Sequence, residues 1–113
     1  MPTMNTGDKA SQETLERIKK MEQHLNRASA AVMDLSAALD KYAEAQESMA
    51  VLSEYYGGDD WKQDFADDEA GRLPADLKRG VLSEDGVWNL LSDSRELNVR
   101  LLETVTDVLK RSV

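Results

Sequence analysis

The chain has 113 residues, 32% of them charged, with a net charge of −8 and no cysteine. That length suits one domain with a modest core, and the missing thiols exclude disulfides, thiolate catalysis and cysteine-based zinc sites. The acidic balance disfavours direct contact with nucleic acid phosphates or anionic lipid, and no apolar run is long enough to predict a membrane span.

Residues 1–10 read as a disordered tail. They are polar, hold Pro2 and Gly7, and lack the basic-then-apolar pattern of a secretory signal.

Over residues 11–56 the apolar positions repeat in heptads. One column is Ile18, Leu25, Val32, Leu39, Gln46 and Ser53, and the other is Met21, Ala28, Leu35, Tyr42, Met49 and Tyr56. The register holds for about six heptads without Pro or Gly, which predicts one long helix with coiled-coil-like packing. Ser11 is placed to cap its start and Gly57 with Gly58 to end it.

Residues 57–83 read as a connecting elbow with one or two short helices. The first is expected over 59–70, capped by Asp59, with Trp61 and Phe65 on one face and Gly71 at its end. A further turn over 74–79 starts on Pro74 and is stopped by Gly80. The second long helix is expected over 84–111, capped by Ser83. Leu82 before the cap and Val87 after it have the spacing of a hydrophobic staple. Its apolar stripe contains Val87, Leu90, Leu91, Leu97, Leu101, Val105, Val108 and Leu109, and Lys110 and Arg111 complement the dipole at its end. Gly86 in the first turn is unfavourable for a helix; the close approach of another backbone, the approach of Trp61, or a frayed helix start would account for it.

Residue types that carry chemistry are scarce. The lone His24 sits among charged neighbours and reads as a surface histidine, since catalysis or metal binding needs convergent partners. The acids Asp59, Asp60, Asp64, Asp67, Asp68 and Glu69 offer oxygen ligands of the kind that suit Mg²⁺ or Ca²⁺. They lack the alternation and internal glycine of an EF-hand and read as a solvated helix face. Glu44 with Glu47, and Asp64 with Asp67, match the paired carboxylates of all-α nucleotide pyrophosphohydrolases in spacing. Asp64 stands where that family has Glu, and no phosphate cradle accompanies the pairs. No metal, no cofactor and no catalytic residue is therefore expected. Tyr42, Tyr55, Tyr56, Trp61, Phe65 and Trp88 gather around the elbow. With acidic neighbours they suit a local core better than a base-stacking platform.

A long motif runs through the elbow: Tyr55, Tyr56 and Gly57, then WKQDF from Trp61 to Phe65, then DDEAG from Asp67 to Gly71, then LPADLKRGVLSEDGV over residues 73–87. It resembles a family of small helical bacterial proteins known as domain of unknown function 4298. The likeness extends from about Leu15 to Leu109, with Gly58 where a Ser is expected. The resemblance implies a bacterial, cytoplasmic, helical protein. It carries no activity and no functional residues.

The expected fold is all-α: a single helical domain over 11–113, formed as a long antiparallel helical hairpin closed by the elbow. The shorter second helix leaves Ile18, Met21 and Leu25 uncovered, which points to a homodimer. The function expected is non-catalytic protein–protein interaction, as an adaptor module with an unidentified protein partner. The elbow's polar residues Asp68, Arg72, Lys78, Arg79, Glu84 and Asp85 are the binding candidates, because loops on a rigid frame commonly carry function. Two alternatives are an acidic regulator of a basic, nucleic-acid-binding protein and a metal-dependent all-α nucleotide hydrolase.

Overall fold

The computed structural model describes residues 8–112; the expected tail falls mainly on residues 1–7, outside them. The protein is all-α. Helix α1 spans Gln12–Tyr55, α2 spans Asp59–Glu69 and α3 spans Gly86–Ser112, with a single 3-10 turn over Gly80–Leu82 between the last two. No strand occurs among the described residues. The chain divides into two compact units, Met1–Ala43 and Glu44–Val113.

The first unit has one described element of length, the N-terminal three-quarters of α1. Ser11 caps it as expected: its hydroxyl accepts the Thr14 N–H at 3.1 Å, which satisfies one of the donors a helix start leaves open. The heptad columns then line one side of a helix that has nothing else to pack on among the described residues of the unit. From Ile18 to Leu39 their large apolar members stand 47% (Leu39) to 69% (Val32) exposed, and Tyr42 is half-buried.

The second unit holds the end of α1, then α2, the 3-10 turn and α3. Helix α1 stops because Gly57 adopts a left-handed φ of 79°, a conformation that costs a residue with a Cβ. Gly58 follows in extended geometry and is the N-cap of α2. The cap is therefore Gly58 and not Asp59. Asp59 and Asp60 occupy the first turn, where their charges still favour the positive end of the helix dipole. At the other end of α2, Gly71 takes a φ of 71°. The Gly71 N–H reaches the Asp68 carbonyl at 3.0 Å and the Arg72 N–H reaches that of Asp67 at 2.9 Å. These are the two bonds of a Schellman motif. Pro74 opens a turn in which the Leu77 N–H reaches its carbonyl at 3.2 Å.

Gly80 does not stop a helix. It begins the 3-10 turn, and its carbonyl receives the Ser83 hydroxyl at 2.8 Å. The same hydroxyl accepts the Gly86 N–H at 3.0 Å, so Ser83 caps the approach to α3 and residues 84–85 form its lead-in. The staple is realised. Leu82 and Val87, at 6% and 3% exposure, are the buried apolar side chains among the described residues. Gly86 is required by the backbone approach that the sequence suggested: a Cβ there would lie 2.5 Å from the Gly80 oxygen and 2.7 Å from Ser83 Oγ.

Gly86→Ala must push the 3-10 turn away from α3, and overpacking of this kind typically costs about 1–3 kcal/mol. Gly80→Ala, where a Cβ meets nothing within 4 Å, is the control. Urea unfolding followed by tryptophan fluorescence is expected to show a lower midpoint for Gly86→Ala and little change for Gly80→Ala.

Candidate functional site at the elbow

The elbow is assembled from side chains of α2 reaching in two directions. Towards the end of α1, the Tyr55 hydroxyl donates to Asp64 Oδ2 at 2.6 Å. Towards the 3-10 turn, Trp61 Nε1 donates to the Val81 carbonyl at 2.9 Å. Trp61 and Phe65, one turn apart on α2, stack with ring centroids 5.1 Å apart, and Tyr56 meets Trp61 edge-on at 5.3 Å. Such pairs contribute beyond their buried area. The Tyr56 hydroxyl continues to the Glu84 carbonyl at 3.3 Å. The aromatic cluster is thus Tyr56, Trp61 and Phe65. Trp88 takes no part in these ring contacts and stands 61% exposed. The 3-10 turn contacts both α2 and α3, and it is the turn's Val81 carbonyl that Trp61 meets.

The acids of α2 are divided among separate partners. Asp64 serves Tyr55. Asp67 accepts from Arg72 Nη1 at 2.6 Å and from Gln63 Nε2 at 3.3 Å. These bonds, the arginine's first, hold its carboxyl below the usual carboxylate range. Asp68 pairs with Arg79 at 2.5 Å. Among the described residues no three His, Asp or Glu side chains gather where they could hold a metal ion.

The six residues singled out in the sequence therefore divide. Asp68 and Arg79 bind each other, and Arg72 binds Asp67, so these charges brace the elbow. Glu84 gives its carbonyl to Tyr56 and Asp85 its carbonyl to Asn89, leaving both side chains exposed. Lys78 makes no ion pair among the described residues. It stands at the rim of an open apolar groove with Leu52, Val81, Val87 and Leu90 along its walls. Sequence reasoning missed this groove, because Leu52 lies 26 positions before Lys78 and no local pattern joins them. It also missed the Tyr55–Asp64 bond, whose only signal was a tyrosine at a helix end.

The fold and this elbow define a class: an all-α protein whose tertiary structure is concentrated in one helical corner. The family profile described as "Domain of unknown function (DUF4298)" matches residues 18–104, and the chain belongs to that family. No curated protein and no solved structure matches it. No described helix is long and apolar enough to cross a membrane.

The Tyr55 hydroxyl is pushed up to about 12 by its bond to Asp64, with burial and the charges of Asp64 and Asp60 adding to the effect. The folded state holds this proton more tightly than the unfolded chain, so its contribution is present below the ordinary value and is lost as pH rises through about 12. Thermal unfolding between pH 9 and the folded value is expected to show stability falling from about pH 10 upward. In Tyr55→Phe that alkaline decline is expected to be shallower.

Proposed function

We propose that this protein is a non-catalytic protein–protein interaction module that works as a homodimer. The observation that carries the reading is the exposed heptad seam of the first unit, from Leu15 to Leu39. A helix this apolar on one side gains its stability by burying that side. Nothing else described in the unit does so. The second unit then serves as the partner-binding end. Its α1 turns and α3 pack as an antiparallel hairpin, a reading supported by the partly covered Ala45, Met49 and Leu52 on α1 and Leu91 and Leu101 on α3. The apolar groove beside Lys78 suits a protein segment that presents an apolar side chain with a carboxylate next to it. Arg72 and Arg79 are paired within the chain, whereas Lys78 makes no ion pair among the described residues and lines this groove.

Light scattering coupled to size exclusion, at micromolar concentration, is expected to give at least twice the chain mass of 12.6 kDa. Ile18→Asp or Leu25→Asp is expected to shift the mass to a monomer, with the fluorescence of Trp61 in the second unit preserved. A parent chain that elutes as a monomer sinks the self-association reading. The elbow has its own test. Lys78→Glu is expected to release a protein partner held by the parent while the oligomeric mass stays unchanged, and retention with equal affinity moves the site elsewhere.

A further inference from the structure

We propose that two copies of this chain pair through α1 of their first units in antiparallel orientation, with Leu25 of each copy seated on Ala28 of the other. The proposal rests on the self-association reading and adds its geometry.

The area is sufficient. The exposed seam side chains of one unit offer on the order of 600 Å², and two copies together reach the lower edge of the range that stable interfaces bury. The flanks of the seam decide the direction. In the first half they are long: Arg17, Glu22 and His24. In the second half they are small: Ser29, Ala31, Ser36 and Ala38. A parallel pair sets each half against itself, so long side chains crowd at one end and a groove without side chains to fill it is left at the other. An antiparallel pair sets flank positions of the same type against each other. Arg17 then lies over Ala38 of the other copy, His24 over Ala31 and Glu22 over Ser29. The aliphatic stems of the long residues cover the partner's small ones.

The seam itself agrees. In the same alignment Ile18 meets Leu35 and Met21 meets Val32, while Leu25 and Ala28 meet each other across the symmetry axis. Large is matched with small at that layer, where a parallel pair would stack Ala28 on Ala28 and leave a void. Charge points the same way. Residues 17–27 carry Arg17, Lys19, Lys20 and Arg27 against Glu22, whereas residues 28–40 carry Asp34 and Asp40 and no cation. Antiparallel pairing sets the basic half of each copy alongside the acidic half of the other and keeps the two basic segments apart.

Full-length single-cysteine variants test the orientation, because the natural chain has no cysteine to interfere. Arg17→Cys and Ala38→Cys probe the flank and leave the seam intact; Thr14→Cys and Leu39→Cys probe the seam's end. Each pair is mixed in urea, refolded together and treated with a short thiol cross-linker. The expected result is cross-linking in each mixture, with about half of the chains in mixed pairs as random symmetric pairing gives, and little in any variant alone. A dimer in which Thr14→Cys or Arg17→Cys cross-links efficiently to itself overturns the orientation, and so does a dimer mass with no cross-link in either mixture. A monomeric mass before cross-linking means that the self-association reading has failed, and the proposal with it.

Discussion

The carbonyl of Gly80 is the point on which the elbow turns. It accepts the Ser83 hydroxyl and lies so near Gly86 that no side chain fits between them. That contact holds the 3-10 turn against the first turn of α3. Leu82 and Val87 are buried together as a result, and the Val81 carbonyl is turned towards Trp61. The aromatic stack on α2 is thereby tied to the start of α3 through backbone atoms and not through a large shared core. A structure with so few buried side chains depends on geometry of this kind. Each hydrogen bond contributes only about 0.5–1.5 kcal/mol, and the elbow gains from having several that share the same few residues.

Charge has a parallel arrangement. An isolated run of acids on α2 would repel itself, yet Asp64, Asp67 and Asp68 each face a different donor: a phenol and two arginines. The arginine pairs are exposed, so each is worth little alone. Their positions matter more than their strength. Arg72 reaches back over the Schellman turn that its own N–H helps to close, and Arg79 bridges the loop that leads to the 3-10 turn. Acids that resemble a metal cluster in the sequence are in the fold the fixed ends of a loop.

The helices were legible in the sequence because their signals are local. The heptad columns, the Ser11 cap, the two glycines after Tyr56 and the Leu82, Ser83 and Val87 staple each act within a few residues. Gly86 was legible as an anomaly, and its cause proved to be the backbone approach. The elbow's interior was less so. Asp59 looked like a cap, but Gly58 takes the extended cap conformation without needing a side chain. Trp88 looked like one of the elbow aromatics, since nothing local shows that residues 80–82 will tighten into a turn whose Val81 carbonyl takes the Trp61 N–H. Neutralisation of the α2 acids by Arg72 and Arg79 was legible from their charge, but which acid each would take was not, because the ion pairs span 5 to 11 positions. Of the six candidates, Lys78 is the one that lines the apolar groove, and it makes no ion pair among the described residues.

The Tyr56–Glu84 hydrogen bond spans 28 positions and is the longest in sequence among those that hold the elbow. Contacts of such short reach close quickly, because little chain entropy is lost in forming the loop. The corner can therefore form as a unimolecular event, whereas the pairing proposed for the first unit requires a second copy. Under the proposed pairing, ordering of the first unit would instead follow second-order kinetics. On that proposal the amount of protein in the cell, and not the sequence alone, sets how long the first unit stays unpaired.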